Sequence, residues 1–199
     1  MNMAKLEFTH GTMSSRKSAT ALMVAYEYRS INYNVWCLKP DVDTRDGAYI
    51  VSRGLGKSIP ATLVSSNTNI TEIFEKENNA KKIDLIIIDE AQFLTAKQVT
   101  QLKSITIYYG VNVFCYGLLT NYITEMFEGS KRLMELADKI IVLDTPCKCG
   151  KCIATVNALI VDGKVAKEMI GDSAVEIGDT KKTERYYIAM CYKCWLESK

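Results

Sequence analysis

Two short stretches carry residues able to act on a phosphate. In the first, Leu6 to Ser18 (LEFTHGTMSSRKS), an alternating apolar run gives way to a turn and then to helix formers. Gly11, Lys17 and Ser18 stand at the spacings of G-x-x-x-x-G-K-[ST]. Such a loop wraps phosphates in backbone N–H groups, including those of Met13, Ser14, Ser15 and Arg16. Its lysine reaches the outer phosphates, its hydroxyl helps hold Mg²⁺, and the positive end of the following helix points at the same anion. The second glycine of the pattern is replaced by Arg16.

In the second stretch the β-branched run Ile83-Asp84-Leu85-Ile86-Ile87-Ile88 ends in Asp89-Glu90. A run without alternation reads as a strand buried on both faces of a parallel sheet, and ligands bind at the carboxyl end of such strands. Opposite a phosphate loop, the first carboxylate helps hold Mg²⁺ and the second can act as a base towards an attacking hydroxyl.

A third chemistry lies near the end of the chain. Five of the seven cysteines fall at 147, 149, 152, 191 and 194. Cys149 and Cys152 are spaced C-x2-C, Cys147 and Cys149 C-x-C, and Cys191 and Cys194 form a second knuckle. Two such pairs flanking a β-rich stretch predict a closed, tetrahedral zinc site, with the first pair open between these readings. A lobe this small has little core, and ligation supplies the missing stability.

The elements that must position these groups alternate. Residues 19–29 read as a helix with Leu22, Tyr26 and Arg29 on one face, and Val35 to Leu38 as a strand ended by Pro40. Residues 40–66 read as a surface excursion with a hairpin or two. A helix at 71–81, the strand ending at Ile88, a helix at 95–108, a strand at 111–116, a helix at 130–137 and a strand at 139–143 follow. The expected fold is α/β: a P-loop parallel sheet with helices on both faces, spanning 1–145, then a small zinc-binding β-rich lobe over 146–199. A chain of 199 residues with 48% hydrophobic and 24% charged residues is an ordinary globular composition. Its net charge of +2 argues against nucleic acid or acidic membrane as a partner, and the N-terminus has no signal-like apolar core, so a cytoplasmic location is expected.

These marks together resemble the thymidine kinases of the cytosolic and viral, zinc-containing type, closest to the shorter bacterial and phage-type members. The resemblance rests on G-T-M before the loop lysine, KPDVDTRD at 39–46, SRGLG at 52–56, DEAQF at 89–93, YGL at 116–118, the cysteine pairs and IGD at 177–179. It implies transfer of the γ-phosphoryl of ATP to the 5′-hydroxyl of thymidine or deoxyuridine in nucleotide salvage, with Mg²⁺ and a structural Zn²⁺, in a homotetramer. Carried over by residue, Lys17 and Ser18 bind phosphates and Mg²⁺, Asp89 the metal, and Glu90 takes the hydroxyl proton. Asp43 and Arg45 lie beside the phosphates, and Gln92 joins the nucleotide site. Met13, Phe93, Leu118 and Phe127 line the base pocket, with Tyr122 in place of the usual phenylalanine. Val156, Ile177, Gly178 and Tyr187 fall in the segment that closes over the nucleoside. The zinc ligands by this comparison are Cys147, Cys149, Cys191 and Cys194, with Cys152 in reserve.

The chain departs from the family at Arg16, at Leu119 and Asn121 near YGL, at Ala158 where an arginine is usual, and in a longer segment between Gly178 and Tyr187. Arg16 supports a second reading, a catalytically silent homologue that binds nucleoside or acts as a regulatory partner. A nucleic-acid-binding zinc ribbon with ATPase activity is the weaker third, given the near-neutral charge.

Overall fold

The apolar run before Asp89 lies near the centre of the sheet. In a computed structural model, which describes residues 4–170 and 185–198, β1 (Leu6–Gly11) leads through a loop into α1 (Lys17–Ser30) and β2 (Val35–Pro40). The hairpin β3 (Tyr49–Ser52) and β4 (Lys57–Pro60) follows, then β5 (Thr62–Val64), α2 (Ile70–Ala80) and β6 (Leu85–Ile88). A 3₁₀ turn at Ala91–Phe93 precedes α3 (Ala96–Tyr109), β7 (Asn112–Gly117), α4 (Glu128–Leu136) and β8 (Lys139–Leu143). Six strands form one sheet in the order β5-β2-β6-β7-β1-β8, with every pair parallel.

Successive residues of β6 face opposite sides of the sheet, which explains its unbroken apolar run. Leu85 and Ile87 pack with Ala21, Leu22 and Ala25 of α1 and with Ile50 of the hairpin. Ile86 and Ile88 pack on the other side with Phe74 of α2, Leu102 and Ile105 of α3 and Leu133 of α4. Helices therefore cover both faces, as expected.

Local signals place the helix ends. Asn69 caps α2 by accepting from the N–H groups of Thr71 and Glu72. Thr95 and Gln98 form a reciprocal capping box that starts α3, and Gly110 ends it at a φ of 67°.

Two local expectations need correction. Tyr26 is 77% exposed, and α1 buries Ala21, Leu22 and Ala25 instead, because small residues let the helix sit close to the sheet. The excursion at 40–66 does contain a hairpin, but its last piece, β5, joins the sheet edge beside β2. A strand of three residues is too short to show a period.

Past β8, β9 (Val156–Val161), β10 (Lys164–Val165) and β11 (Arg185–Met190) form a separate antiparallel sheet, ordered β10-β9-β11. A short helix, α5 (Tyr192–Glu197), follows and packs Trp195 against Val156 and Ala158. Among the described residues, no helix is long and apolar enough to cross a membrane.

Candidate active site

The loop between β1 and α1 closes tightly on itself. A Cβ at Gly11 would lie 2.5 Å from Leu143 O and 2.6 Å from Ser15 Oγ, so only glycine fits there. Lys17 is buried, and its ammonium donates to Gly11 O at 3.1 Å, Thr12 O at 2.8 Å and Ser15 Oγ at 3.3 Å. Burial lowers its pKa, against the opposing pull of Glu90 and Asp89. Arg16 stands at the N-terminus of α1 at φ 69°, the left-handed conformation that a glycine would adopt freely, and its side chain is exposed. Ser14 is also left-handed, at φ 63°. Among the described residues no side chain caps α1 and its first turn has no acidic residue, while Thr12 Oγ1 is buried with no hydrogen-bond partner among them. These unanswered donors suit a phosphate.

Asp89 and Glu90 sit beside this loop, where β6 ends. Asp89 is buried, with the Ser18 side chain near enough to favour its charged form. Burial and the neighbouring charge of Glu90 push its carboxyl up to about 7. A hard divalent cation held by Asp89 and Ser18 would offset both effects, so the donor set fits Mg²⁺.

Glu90 adopts φ 52°, which turns its side chain off the strand axis. One carboxylate oxygen accepts from Arg45 Nη2 at 2.7 Å and the other from Gln92 Nε2 at 2.5 Å. Arg45 also donates through Nε to Asp43 at 2.6 Å, and Asp43 pairs with Lys39 at 3.1 Å. Burial alone would raise the Asp43 pKa, but the hydrogen bonds from Arg45 and Lys39 hold it below the usual carboxylate value. Gln92 Oε1 accepts from the N–H of Leu118 at 3.0 Å, so both ends of its buried side chain are engaged within the protein. Gln92 thus braces Glu90 against the start of the Leu118 loop.

Phe93 and Phe127 meet edge to face with their rings 5.7 Å apart. Leu118 begins the loop that ends at Phe127, and the first turn of α4 locks that loop against the DEAQF turn. A Cβ at Gly129 would lie 2.5 Å from Leu94 O and 2.7 Å from Ala91 O, while Ser130 Oγ donates to Leu118 O at 2.5 Å. Tyr122 is buried, and its hydroxyl accepts from the N–H of Ile170 at 2.9 Å. The departures are absorbed locally. Leu119 packs on the main core, Asn121 accepts from the N–H groups of Ile123 and Glu125, and Ala158 is wholly buried.

Val156 does not face the loops. Its side chain packs with Ala158 and Trp195, because alternate residues of β9 point to opposite sides. Its neighbour Asn157, absent from the sequence-based set, faces them instead: its Oδ1 accepts from Met13 N at 2.6 Å and its Nδ2 donates to Thr120 O at 3.4 Å. A lone carboxamide inside the apolar run VNALIV was the available signal. Lys39, within the KPDVDTRD stretch, has the buried partner Asp43. Tyr187 lies half-buried in β11, opposite Leu159. Ile177, Gly178 and Asp179 lie outside the described residues.

The sulfur atoms of Cys147, Cys149, Cys191 and Cys194 lie within 4.8 Å of one another. Gly150, at φ 69°, turns the first pair, and the N–H of Cys194 points at Cys191 Sγ at 3.5 Å. Backbone N–H groups of Cys149 and Cys191 bring the Cys147 thiol down to about 6. The adjacent thiols, Cys191 and Cys149 foremost, push Cys194 up to about 12. Four crowded thiols ionise together only around a cation, and this set fits a tetrahedral thiophilic metal. Cys152 lies outside the group of four.

A parallel sheet with a phosphate loop on its first strand, a paired hydroxyl and carboxylate, and a tethered second carboxylate defines a phosphoryl-transfer enzyme of the P-loop class. The family model described as thymidine kinase matches residues 4–195. The thymidine kinase of Enterobacteria phage T4 is 37% identical over 195 residues, covering 98% of this chain and 97% of its own. Those of Mannheimia succiniciproducens and Francisella tularensis are 36% identical over 189 residues and 35% over 199, covering 95% and 98% of this chain and 93% and 98% of their own. The chain is an enzyme of the thymidine kinase family.

Proposed function

We propose that the enzyme transfers the γ-phosphoryl group of ATP to the 5′-hydroxyl of thymidine, or of deoxyuridine, giving the monophosphate and ADP. The observation that carries this reading is the convergence of Lys17, the Ser18–Asp89 pair and the tethered Glu90 at one sheet end. Lys17 and the loop N–H groups neutralise phosphate charge, and Ser18 with Asp89 would hold Mg²⁺, which when bound screens the phosphate oxygens. Glu90 takes the proton of the 5′-hydroxyl as its oxygen bonds to the γ-phosphorus. The bond from that phosphorus to the bridging oxygen breaks, and the electron pair leaves with ADP. Phe93, Phe127, Leu118, Tyr122 and Met13 would enclose the base, with Tyr187, Ile177 and Gly178 in the segment that closes over it.

Four further assignments accompany this reading. Cys147, Cys149, Cys191 and Cys194 hold a structural Zn²⁺, and the boundary between the α/β domain and its small lobe falls near Thr145. The enzyme is a homotetramer, by family resemblance. It works in the cytoplasm, where thiols stay reduced. The outward side chain of Arg16 supports a working site over a silent one, since it leaves the loop uncrowded.

The test is transfer of labelled γ-phosphate from ATP to a panel of pyrimidine nucleosides, with Glu90→Gln alongside. The amide should cut kcat by about 10²–10⁴ and leave thymidine binding within a few fold. No transfer by wild type, or normal turnover in the variant, would sink the assignment.

A further inference from the structure

We infer that Asn157 is a positioning residue for both substrate sites, tying the phosphate loop and the base-pocket loop to the second sheet. Asn157 is 3% exposed in a strand that is otherwise apolar, where a leucine or valine would serve the packing. A buried carboxamide is costly unless its bonds are made, and here both are made to backbone groups distant in the chain. Its oxygen takes the N–H of Met13 at 2.6 Å, and its nitrogen gives to the carbonyl of Thr120 at 3.4 Å. One side chain that both accepts and donates is what two such partners require.

Met13 belongs to the loop between β1 and α1, and Thr120 pairs with Met126 at the neck of the loop carrying Tyr122. Across the second sheet Asn157 stands opposite Ala189, two residues before Cys191. The residues leading into the cysteine cluster therefore set the height at which the carboxamide meets both loops. It touches no reacting atom; it acts through Met13 and Thr120. The kinetic part rests on ATP and thymidine being the substrates.

The test compares full-length wild type with Asn157→Ala and Asn157→Asp by steady-state kinetics and by the Met13 amide resonance in protein labelled with ¹⁵N-methionine. Asn157→Ala should move the Met13 resonance and raise the KM for both ATP and thymidine by about tenfold, with kcat changed less. Asn157→Asp has the same shape and keeps the acceptor but not the donor. It should restore the Met13 resonance while the thymidine KM stays raised. A folded alanine variant with both KM values within twofold of wild type, or with Met13 unmoved, would overturn the assignment, as would a fall in Tm alone. Absence of transfer in wild type would sink the proposed reaction instead, and the Met13 resonance would still decide for or against Asn157.

Discussion

Arg45 and Glu90 share a 2.7 Å ion pair, and the same guanidinium grips Asp43 through its Nε at 2.6 Å. The carboxylate assigned as base is thus held by a cation anchored on a buried acid. A planar fork spans two carboxylates where a compact ammonium cannot. Arg45→Lys should lower kcat by roughly 10- to 100-fold, the worth of one charge-assisted hydrogen bond. Rapid-quench measurement of the transfer step checks this, and an unchanged rate would show that the ion pair is dispensable.

Gly129 has no room for a side chain, since an added Cβ would meet the carbonyl oxygens of Leu94 and Ala91. Among the described residues nothing lies within 4 Å of a would-be Cβ at Gly54. Gly129→Ala should therefore destabilise by about 1–3 kcal/mol and disturb the Glu90 turn, while Gly54→Ala stays within about 0.5 kcal/mol of wild type. Urea unfolding of the pair reads the contrast, and equal stabilities would refute the packing argument.

The cysteine geometry separates Cys147 from Cys152, which spacing alone leaves as alternative partners of Cys149. Cys147 belongs to the group of four and Cys152 does not. Elemental analysis should find about one zinc per chain in wild type and in Cys152→Ser, and much less in Cys147→Ser. The reverse pattern would move the site to Cys152.

Arg16 stays left-handed at a cost of about 1–2 kcal/mol, with its side chain in solvent. Arg16→Gly should raise Tm by about 2–4 °C and lower the KM for ATP, with little change in thymidine binding. Calorimetry that finds weaker ATP binding in the glycine variant would make Arg16 a phosphate ligand.

Several features were legible along the chain because their causes are local. The loop spacing from Gly11 to Ser18 is a property of one turn and one helix end. The run Leu85–Ile88 is apolar throughout because both of its faces are covered. Thr95 and Gln98 cap α3 from within their own turn. Short or ambiguous signals hid other features. The edge strand at Thr62–Val64 is too brief to show a period, and the face of α1 that carries Leu22, Tyr26 and Arg29 is buried only at Leu22.

The amino-acid sequence by itself determined which groups are present and what chemistry their types allow: a lysine and a hydroxyl at a helix start, two carboxylates at a strand end, and paired thiols. Tertiary structure alone decided which of them meet. Strand register turned Asn157 towards Met13 and Val156 away from it, since a period of two sends neighbours to opposite faces. The parallel pairing of β2 with β6 set the loop after β2 beside the end of β6 and brought Arg45 to Glu90, and the antiparallel pairing of β9 with β11 brought Cys191 and Cys194 to Cys147 and Cys149. Those contacts depend on distances between segments far apart in sequence, and such distances exist only once the layers have packed.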